Sequence, residues 1–355
     1  MLRIIQFQRG FLKIFGNIPP MRNKYLPISL LLLFLLACQT SVLATPTAVP
    51  PTSIPTETAL WTPTSPPPET PTLAPTLTPT PPPHATRILI LTIDGLRPDA
   101  ISAAPMPNLL NLMQNGAYTL SAQTVYPSVT LIAHASLLTG TCPSKHGVTW
   151  NDYQPRLGYA QGTDLFDLAH AAGLQTVMYV GKEKLRQTTE PSSVDFFAYI
   201  NDRDLLIADK LIENFPQDFG VLFVHFPLVD GMGHEYGWMS WQQLSVAARA
   251  DEALGNILSE LDARGLRSET LIIVTADHGG HDTSHGSRLP EDMTIPWVIS
   301  GPGVQPKALT APVNIMDTAA TAAFALGLPL PPEWDGAPVY EAFGLPVERQ
   351  SAPCE

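Results

Sequence analysis

The residues of this sequence that could do chemistry are aspartates and histidines that stand close together in short motifs. They are Asp94, Asp230, His234, Asp277, His278, His281 and His285. Carboxylates and neutral imidazoles together suit a borderline ion such as Zn²⁺, and this many ligands exceeds what one ion needs. The pattern therefore predicts a site for two divalent metal ions.

Each of these residues also has an ordinary structural interpretation. A single aspartate after a strand often caps a helix, and a lone histidine is more often hydrogen-bonded in the core or exposed than bound to a metal. The set as a whole favours the metal site, because the same residue types recur in several motifs along the chain.

The elements that would position these residues are short apolar runs rich in β-branched side chains. The runs are 88–93, 176–180, 221–226 and 271–275. Such runs are typical of buried strands, and helical patterns such as Leu244 to Leu261, followed by Gly265 as a stop, separate them. We therefore expect an α/β fold: a single domain with a mainly parallel central sheet flanked by helices.

Polar residues follow each predicted strand. They are Asp94-Gly95, Gly181-Lys182, Asp230 with His234, and Asp277-His278. Because ligands in open α/β sheets bind outside the carboxyl ends of the strands, we expect these side chains to converge. We also expect the two glycines of Asp230-Gly-Met-Gly-His234 to let the backbone wrap round an ion, and the last turn to bring Asp277 and His278 both inward.

The N-terminal third has the pattern of an export signal followed by a tether. Residues 1–38 contain an apolar run that is too short to span a bilayer and ends in Leu-Leu-Ala-Cys38, which resembles a bacterial lipobox. We expect export and a lipid anchor on Cys38 at the outer face of a bacterial membrane. An uncleaved anchor, or ordinary export with an incidental cysteine, is the alternative.

The remaining chain divides into a linker, a domain and a tail. Residues 39–86 are dominated by proline and threonine and are predicted to form a disordered stalk, because such a segment cannot build a core. Residues 87–345 are predicted to form the catalytic domain, and residues 346–355 a tail. The net charge of -12 argues against nucleic acid as a partner.

Several segments together resemble the type I phosphodiesterase and nucleotide pyrophosphatase group of the alkaline phosphatase superfamily. They are the run ending in Asp94-Gly95, Tyr126-Pro-Ser-Val-Thr130 through His146-Gly147, the Asp230 to His234 motif, Ala276-Asp-His-Gly279 and the segment Val313 to Gly336. The resemblance covers residues 87 to 340. It implies hydrolysis of a phosphodiester or a nucleotide pyrophosphate through a phosphothreonine intermediate on Thr130.

The resemblance also implies the ligand sets. One ion would be held by Asp94, Thr130, Asp277 and His278, and the other by Asp230, His234 and a third histidine. No histidine follows His285, so an ion with three protein ligands must use His285 or His281. We favour His285, because its surroundings resemble those in compact members of the group. His281 remains the alternative.

One departure from the family pattern concerns the side chain that donates a hydrogen bond to the phosphoryl oxygen of the substrate. Relatives commonly follow the nucleophile with Phe-Pro-Asn, whose amide contacts the phosphoryl oxygen, whereas this sequence has Thr130-Leu-Ile-Ala133. Lys182 or Lys184 could replace that donor, and we favour Lys182 as a catalytic residue, although either lysine could be solvated. Ser128 and Ser136 are alternative hydroxyls to Thr130.

Other functions remain as alternatives. A phosphomonoesterase of the same superfamily, or a surface binding protein whose site has decayed, would also fit the motifs. A sulfatase is excluded by Cys142-Pro143-Ser-Lys145, which lacks the spacing and arginine of the Cys-x-Pro-x-Arg pattern. We expect Cys142 to be structural, either buried or bridged to Cys354. The sequence does not indicate an oligomeric state.

Overall fold

The structure is a computed structural model that describes residues 85–352 and residue 354. The predicted signal segment with Cys38, and the predicted stalk up to residue 84, lie outside the described residues. Ala85 and Thr86, the last two residues of the predicted linker, donate backbone hydrogen bonds to Ala325 and Glu269. Within the described part of the chain, no helix is long and apolar enough to cross a membrane.

One eight-stranded sheet forms the centre of the described chain. Its strands are β1 (Arg87–Ile93), β2 (Ala117–Gln123), β3 (Gln175–Val180), β4 (Phe196–Tyr199), β5 (Phe219–Phe226), β6 (Thr270–Thr275), β7 (Thr294–Ser300) and β8 (Lys307–Ala308). The spatial order is β4-β3-β5-β1-β6-β7-β2-β8. The strands from β4 to β6 pair in parallel, whereas β7 runs antiparallel to both neighbours. The predicted α/β fold with a mainly parallel sheet is confirmed.

Helices flank this sheet. The α-helices are α1 (Ala100–Ala103), α2 (Pro107–Gln114), α3 (Thr130–Thr139), α4 (Pro143–His146), α5 (Leu165–Ala171), α6 (Asp204–Glu213), α7 (Leu228–Tyr236), α8 (Trp241–Ala263), α9 (Pro290–Met293) and α10 (Asp317–Ala325). Short 3₁₀ helices cover Pro155–Leu157, Glu183–Thr188, Pro191–Ser193, Arg267–Glu269 and Tyr340–Phe343. The helices form two groups, one around α8 with α1, α2, α6 and α7, and one around α3 with α4, α5 and α10.

The four predicted strands are observed as β1, β3, β5 and β6. Helices pack on the sheet, and these strands are buried except at the first residue of β1 and of β3. This burial explains why their sequences are continuous apolar runs. The predicted helix from Leu244 to Leu261 is the central part of α8. Ser240 caps α8 at its start by accepting the backbone N–H of Gln243, and Gly265 follows its end with a left-handed φ of 71°.

The parallel register aligns the carboxyl ends of the central strands. Thr92 of β1 pairs with His225 of β5 on one side and with Thr275 of β6 on the other, and His225 also pairs with Val180 of β3. All four strands therefore end at the same edge of the sheet. The residues that follow them must lie near one another.

The C-terminal tail is tied to the domain. Cys354 forms a disulfide with Cys142, which lies between α3 and α4 and is buried. Asp335 accepts the backbone N–H of Cys142 and pairs with the ammonium of Lys145 at 2.6 Å. Both outcomes expected for Cys142 are present, because it is buried and also bridged to Cys354.

Candidate metal centre

The residues that follow β1, β3, β5 and β6 meet at the carboxyl edge of the sheet. Asp94 follows β1 directly, Asp277 and His278 follow β6, and Lys182 follows β3. Two groups of side chains there could hold a metal ion: Asp94, Asp230 and His278, and Asp230, His234 and His285. The structure thus brings five of the seven predicted ligands into these two groups, with Asp230 shared by both.

Asp94, Asp277 and His278 form a fully buried cluster. Nε2 of His278 lies 3.4 Å from Oδ1 of Asp94 and 3.4 Å from Oδ2 of Asp277. The other Asp277 oxygen, Oδ1, accepts the backbone N–H groups of Gly95 and His278. The turn after β6 therefore does bring both adjacent side chains inward, as the sequence predicted.

Gly95 allows this cluster to lie against α7. Its φ is 72°, and a Cβ atom at this position would lie 3.0 Å from Cα of Asp230. A larger residue would therefore strain the turn after Asp94 and push away the helix that carries Asp230.

The segment from Asp230 to His234 does not wrap round a site, and that expectation was wrong. It is part of helix α7, in which residues four apart lie on the same face. Nε2 of His234 consequently lies 3.4 Å from Oδ1 of Asp230. The second glycine has a packing role instead, because a Cβ on Gly233 would lie 2.8 Å from the ring of Trp238.

The structure separates the two candidates for the third histidine. Nε2 of His285 lies 3.5 Å from Oδ1 of Asp230, and its ring stacks on His278 with the centroids 3.8 Å apart. His281 instead pairs through Nδ1 with the buried carboxylate of Asp292 at 2.7 Å. The geometry places His285, and not His281, beside Asp230, while its role as a ligand stays a prediction.

The three histidines next to the carboxylates share one orientation. Nδ1 donates to a main-chain carbonyl in each: Gly279 for His278, Thr283 for His234 and Ser128 for His285. A carbonyl can only accept, so Nδ1 carries the proton and Nε2 has a free lone pair. This hydrogen bond fixes the tautomer that metal-binding histidines use.

The hydrogen-bonding state of the cluster fits a bound cation. Eight buried polar side-chain atoms make no hydrogen bond within the described residues, and four of them are here: Oδ1 of Asp94, Oδ1 of Asp230, Oδ2 of Asp277 and Nε2 of His278. Such unpaired groups cost free energy unless something binds them. All four are oxygen or nitrogen atoms suited to Zn²⁺, so the residues fit the predicted ions.

Lys182 neutralises part of the charge of this site. Its Nζ lies 2.6 Å from Oδ2 of Asp94 and 2.6 Å from Oδ2 of Asp230. Burial alone would lower the pKa of Lys182, but the two carboxylates raise it above its ordinary value. The same contact lowers the pKa of Asp94. Burial would raise the pKa of this carboxyl, yet Lys182 and His225 hold it well below its usual range. Lys182 is therefore an ammonium and Asp94 an anion.

Thr130 is the first residue of helix α3 and is buried at this site. Nζ of Lys182 lies 3.4 Å from its Oγ1, and the helix N-terminus adds a partial positive charge. The two alternative hydroxyls are engaged elsewhere, Ser128 with the carbonyl of Ser287 and Ser136 with His146. Thr130 therefore has the hydroxyl that faces the cationic part of the site.

Asn151 lies beside the start of α3, and no sequence motif predicted it there. Its Oδ1 accepts the backbone N–H of Leu131 at 2.9 Å and the ammonium of Lys184 at 3.1 Å. Leu131 follows Thr130 directly, so these contacts hold the Asn151 amide and Lys184 beside the start of α3. Burial and the neighbouring Lys182 lower the pKa of Lys184. No local motif marks Asn151, because its partners are distant in sequence.

Comparison with known proteins agrees with these motifs. A family model described as type I phosphodiesterase/nucleotide pyrophosphatase matches residues 88–295. The catalytic subunit of GPI ethanolamine phosphate transferase 2 from Homo sapiens is 26% identical in an alignment of 289 positions that covers 75% of this chain and 29% of that protein. A bis(5′-adenosyl)-triphosphatase of Xenopus laevis is 27% identical in an alignment of 221 positions that covers 54% of this chain and 47% of that protein. The chain thus spans less than half the length of these two relatives.

Solved structures with the same fold are more distant in sequence. Murine ectonucleotide pyrophosphatase/phosphodiesterase 5, in an inactive form in complex with AMP, superimposes with a TM-score of 0.61 at 17% identity, covering 72% of this chain and 98% of that one. A 2-O GAG sulfatase superimposes with a TM-score of 0.64 at 16% identity, covering 76% of both chains. At this identity the likeness concerns the fold alone.

Proposed function

Because the chain belongs to the type I phosphodiesterase/nucleotide pyrophosphatase family of the alkaline phosphatase superfamily, we propose that it is a two-metal hydrolase of phosphate esters. Its substrates would be phosphodiesters or nucleotide pyrophosphates, cleaved through a phosphothreonine intermediate on Thr130. The single observation that carries this proposal is the set of four unpaired ligand atoms beside a buried threonine hydroxyl.

The residues would divide into two ligand sets. Asp94, Thr130, Asp277 and His278 would hold one ion, and Asp230, His234 and His285 the other. Divalent ions held by these residues would lower the pKa of a coordinated hydroxyl and would withdraw charge from phosphoryl oxygens. Zn²⁺ suits these mixed nitrogen and oxygen ligands.

Thr130 would attack the phosphorus atom. Lys182 would act through its charge rather than as a base, because its ammonium pairs with Asp94 and Asp230 at 2.6 Å each. The hydroxyl therefore loses its proton to solvent, and the ammonium of Lys182 at 3.4 Å stabilises the resulting oxyanion. Attack expels the leaving alcohol or phosphate, and water then cleaves the phosphothreonine to restore Thr130 and release the phosphate product.

Two further donors lie beside the start of α3 for the phosphoryl oxygens. The Oδ1 atom of Asn151 is occupied by Leu131 and Lys184, so its amide N–H₂ group is the end that can donate to substrate. Lys184 adds a second positive charge. Asn151 would thereby supply the amide that Ala133 cannot.

A phosphomonoesterase is the second candidate, and the two lysines favour it. A monoester dianion carries one more negative charge than a diester, so Lys182 and Lys184 would stabilise it more strongly. Both candidates use the same nucleophile and the same ligand sets, and they differ only in the second substituent on phosphorus.

The cellular location is proposed from the sequence. The apolar run before Leu-Leu-Ala-Cys38 supports export and lipid anchoring at the outer face of a bacterial membrane, and the Pro/Thr-rich linker would hold the domain away from the lipid. Small phosphate esters outside the cell would then be the accessible substrates.

Paired rate measurements test the proposed function. The full chain, loaded with Zn²⁺, is assayed on bis-p-nitrophenyl phosphate and on p-nitrophenyl phosphate, with a chelator-treated sample as the control. We expect metal-dependent turnover, and the substrate with the higher kcat/KM decides between diesterase and monoesterase. A chain that binds fewer than one ion and hydrolyses neither compound would instead indicate a decayed binding protein.

A further inference from the structure

His225 is a fully buried histidine that lies beside the metal centre without belonging to either ligand set. It occupies strand β5 between β1 and β3, one residue before the end of the strand. A histidine in an otherwise apolar strand costs free energy unless both ring nitrogens are paired. The pairs it makes therefore indicate what the residue does.

Both ring nitrogens of His225 are engaged. The backbone N–H of Gly181 points toward Nδ1 at 3.2 Å and is shared with the carbonyl of His225 itself. Since an N–H can only donate, Nδ1 must be the unprotonated nitrogen. Nε2 therefore carries the proton and donates it to Oδ2 of Asp94 at 2.9 Å.

Because of this bond, the two carboxylate oxygens of Asp94 have different partners. Oδ2 receives two donors, the ring N–H of His225 and the ammonium of Lys182 at 2.6 Å. Oδ1 makes no hydrogen bond to any described residue and faces Nε2 of His278 at 3.4 Å. The carboxylate is thus held in one rotation, with its free oxygen toward the other ligands.

We propose that His225 is a positioning residue that fixes the carboxylate of Asp94, so that Oδ1 stays available to the ion that Asp94, Asp277 and His278 would hold. This role rests on the proposed function, because it requires that ion to bind. Hydrogen bonds that orient metal ligands typically change metal affinity by about 10- to 100-fold. A loss of that size is what removal of the His225 donor predicts.

His146 provides a matched control within the same chain. It is also fully buried, it also accepts a backbone N–H at Nδ1, from Val148 at 3.2 Å, and its Nε2 pairs with Ser136 at 2.9 Å. Among the described residues, none of the hydrogen-bond partners of the His146 ring is a predicted metal ligand. Replacing His146 therefore removes a similar buried imidazole without touching the metal centre.

The test compares His225→Leu, His225→Gln and His146→Leu in the full chain. Each apoprotein is titrated with Zn²⁺ against a chromophoric chelator, and the Co²⁺-loaded forms are compared by their visible spectra. A His234→Ala protein identifies which titration step belongs to the Asp230 group. The readouts are affinity and spectrum, so they do not depend on activity.

We expect His225→Leu to weaken only the step assigned to the Asp94 group, by about 10- to 100-fold, and to change the Co²⁺ spectrum. His225→Gln should recover part of this affinity, because its amide can donate to Asp94. His146→Leu should lower stability and leave both affinities unchanged.

Three results would overturn the role of His225: wild-type affinity in His225→Leu, an equal loss in His146→Leu, or no recovery in His225→Gln. Failure of the proposed function gives a different result, since the wild-type chain itself would then bind fewer than two ions or show no metal-dependent hydrolysis.

Discussion

Nζ of Lys182 lies 3.4 Å from Oγ1 of Thr130, and the same ammonium is held by two buried carboxylates. In the proposed mechanism this contact would give Lys182 an electrostatic role rather than that of a base. It also links the strand that ends before Lys182 to the start of helix α3. The site therefore depends on the relative placement of two elements that are distant in sequence.

Replacing Lys182 should lower turnover. Removal of one preorganised donor typically costs about 100- to 1,000-fold in kcat, so Lys182→Met should fall within that range. Lys182→Arg keeps the charge and should retain more activity. Steady-state kinetics on an aryl phosphate ester measure both effects.

Lys210→Met is the control for that measurement, because Lys210 pairs with Glu213 on an exposed helix surface. Its kcat should match that of the wild type. A Lys182→Met protein with unchanged kcat would remove Lys182 from the mechanism.

Substitution of the two competing histidines should separate their roles. His285→Ala should lose one ion per chain after dialysis, because Nε2 of His285 is the atom that lies beside Asp230. His281→Ala should keep both ions but lower stability, since it leaves the buried Asp292 without its imidazole partner. Metal analysis of the dialysed proteins decides the matter, and the reverse pattern would show that His281 is the ligand.

The disulfide should contribute to stability and not to chemistry. Cys142 and Cys354 are separated by 212 residues, and a bridge that closes a loop typically stabilises a fold by about 2–4 kcal/mol by restricting the unfolded chain. Cys354→Ser should lower the free energy of unfolding by that amount in urea titrations and leave kcat unchanged. The wild-type protein under reducing conditions should behave in the same way. Equal urea midpoints for all samples would show that the bridge is not formed in solution.

The sequence predicted the fold and the meeting of the ligands for a simple reason. Buried parallel strands are continuous apolar runs, and polar residues after them must collect at one edge of the sheet. Asp94, Asp277 and His278 follow that rule directly. The family assignment made from these motifs is confirmed.

The sequence predicted less well where long-range packing decides the structure. The glycines between Asp230 and His234 suggested a backbone that wraps round an ion, but the segment is part of helix α7, which packs against α8, and Gly233 makes room for Trp238. Asn151 was missed because its position beside Leu131 depends on how the chain returns after α4. Neither relationship leaves a local sequence pattern from which it could be predicted.

Lipidation of Cys38 is a prediction from the sequence alone. Cys38→Ser should shift the protein from the membrane fraction to the soluble fraction or block signal processing, because the lipobox cysteine would be the acylated residue. Fractionation with immunoblotting measures this shift. Ser41→Ala, three residues after Cys38, serves as the control and should stay with the membrane. A mature Cys38→Ser protein that remains fully membrane-bound would contradict the anchor.

Thr130→Ala tests the central claim most directly. Asp94, Asp277 and His278 remain, so the variant should fold and keep most of its bound metal, while Thr130→Ser should stay partly active because its hydroxyl can act in the same way. In the metal-replete Thr130→Ala protein, kcat and kcat/KM should fall together by roughly 1,000-fold or more, because the lost hydroxyl acts in the transition state. Near wild-type turnover by that protein would contradict a threonine nucleophile and leave water as the direct attacking group.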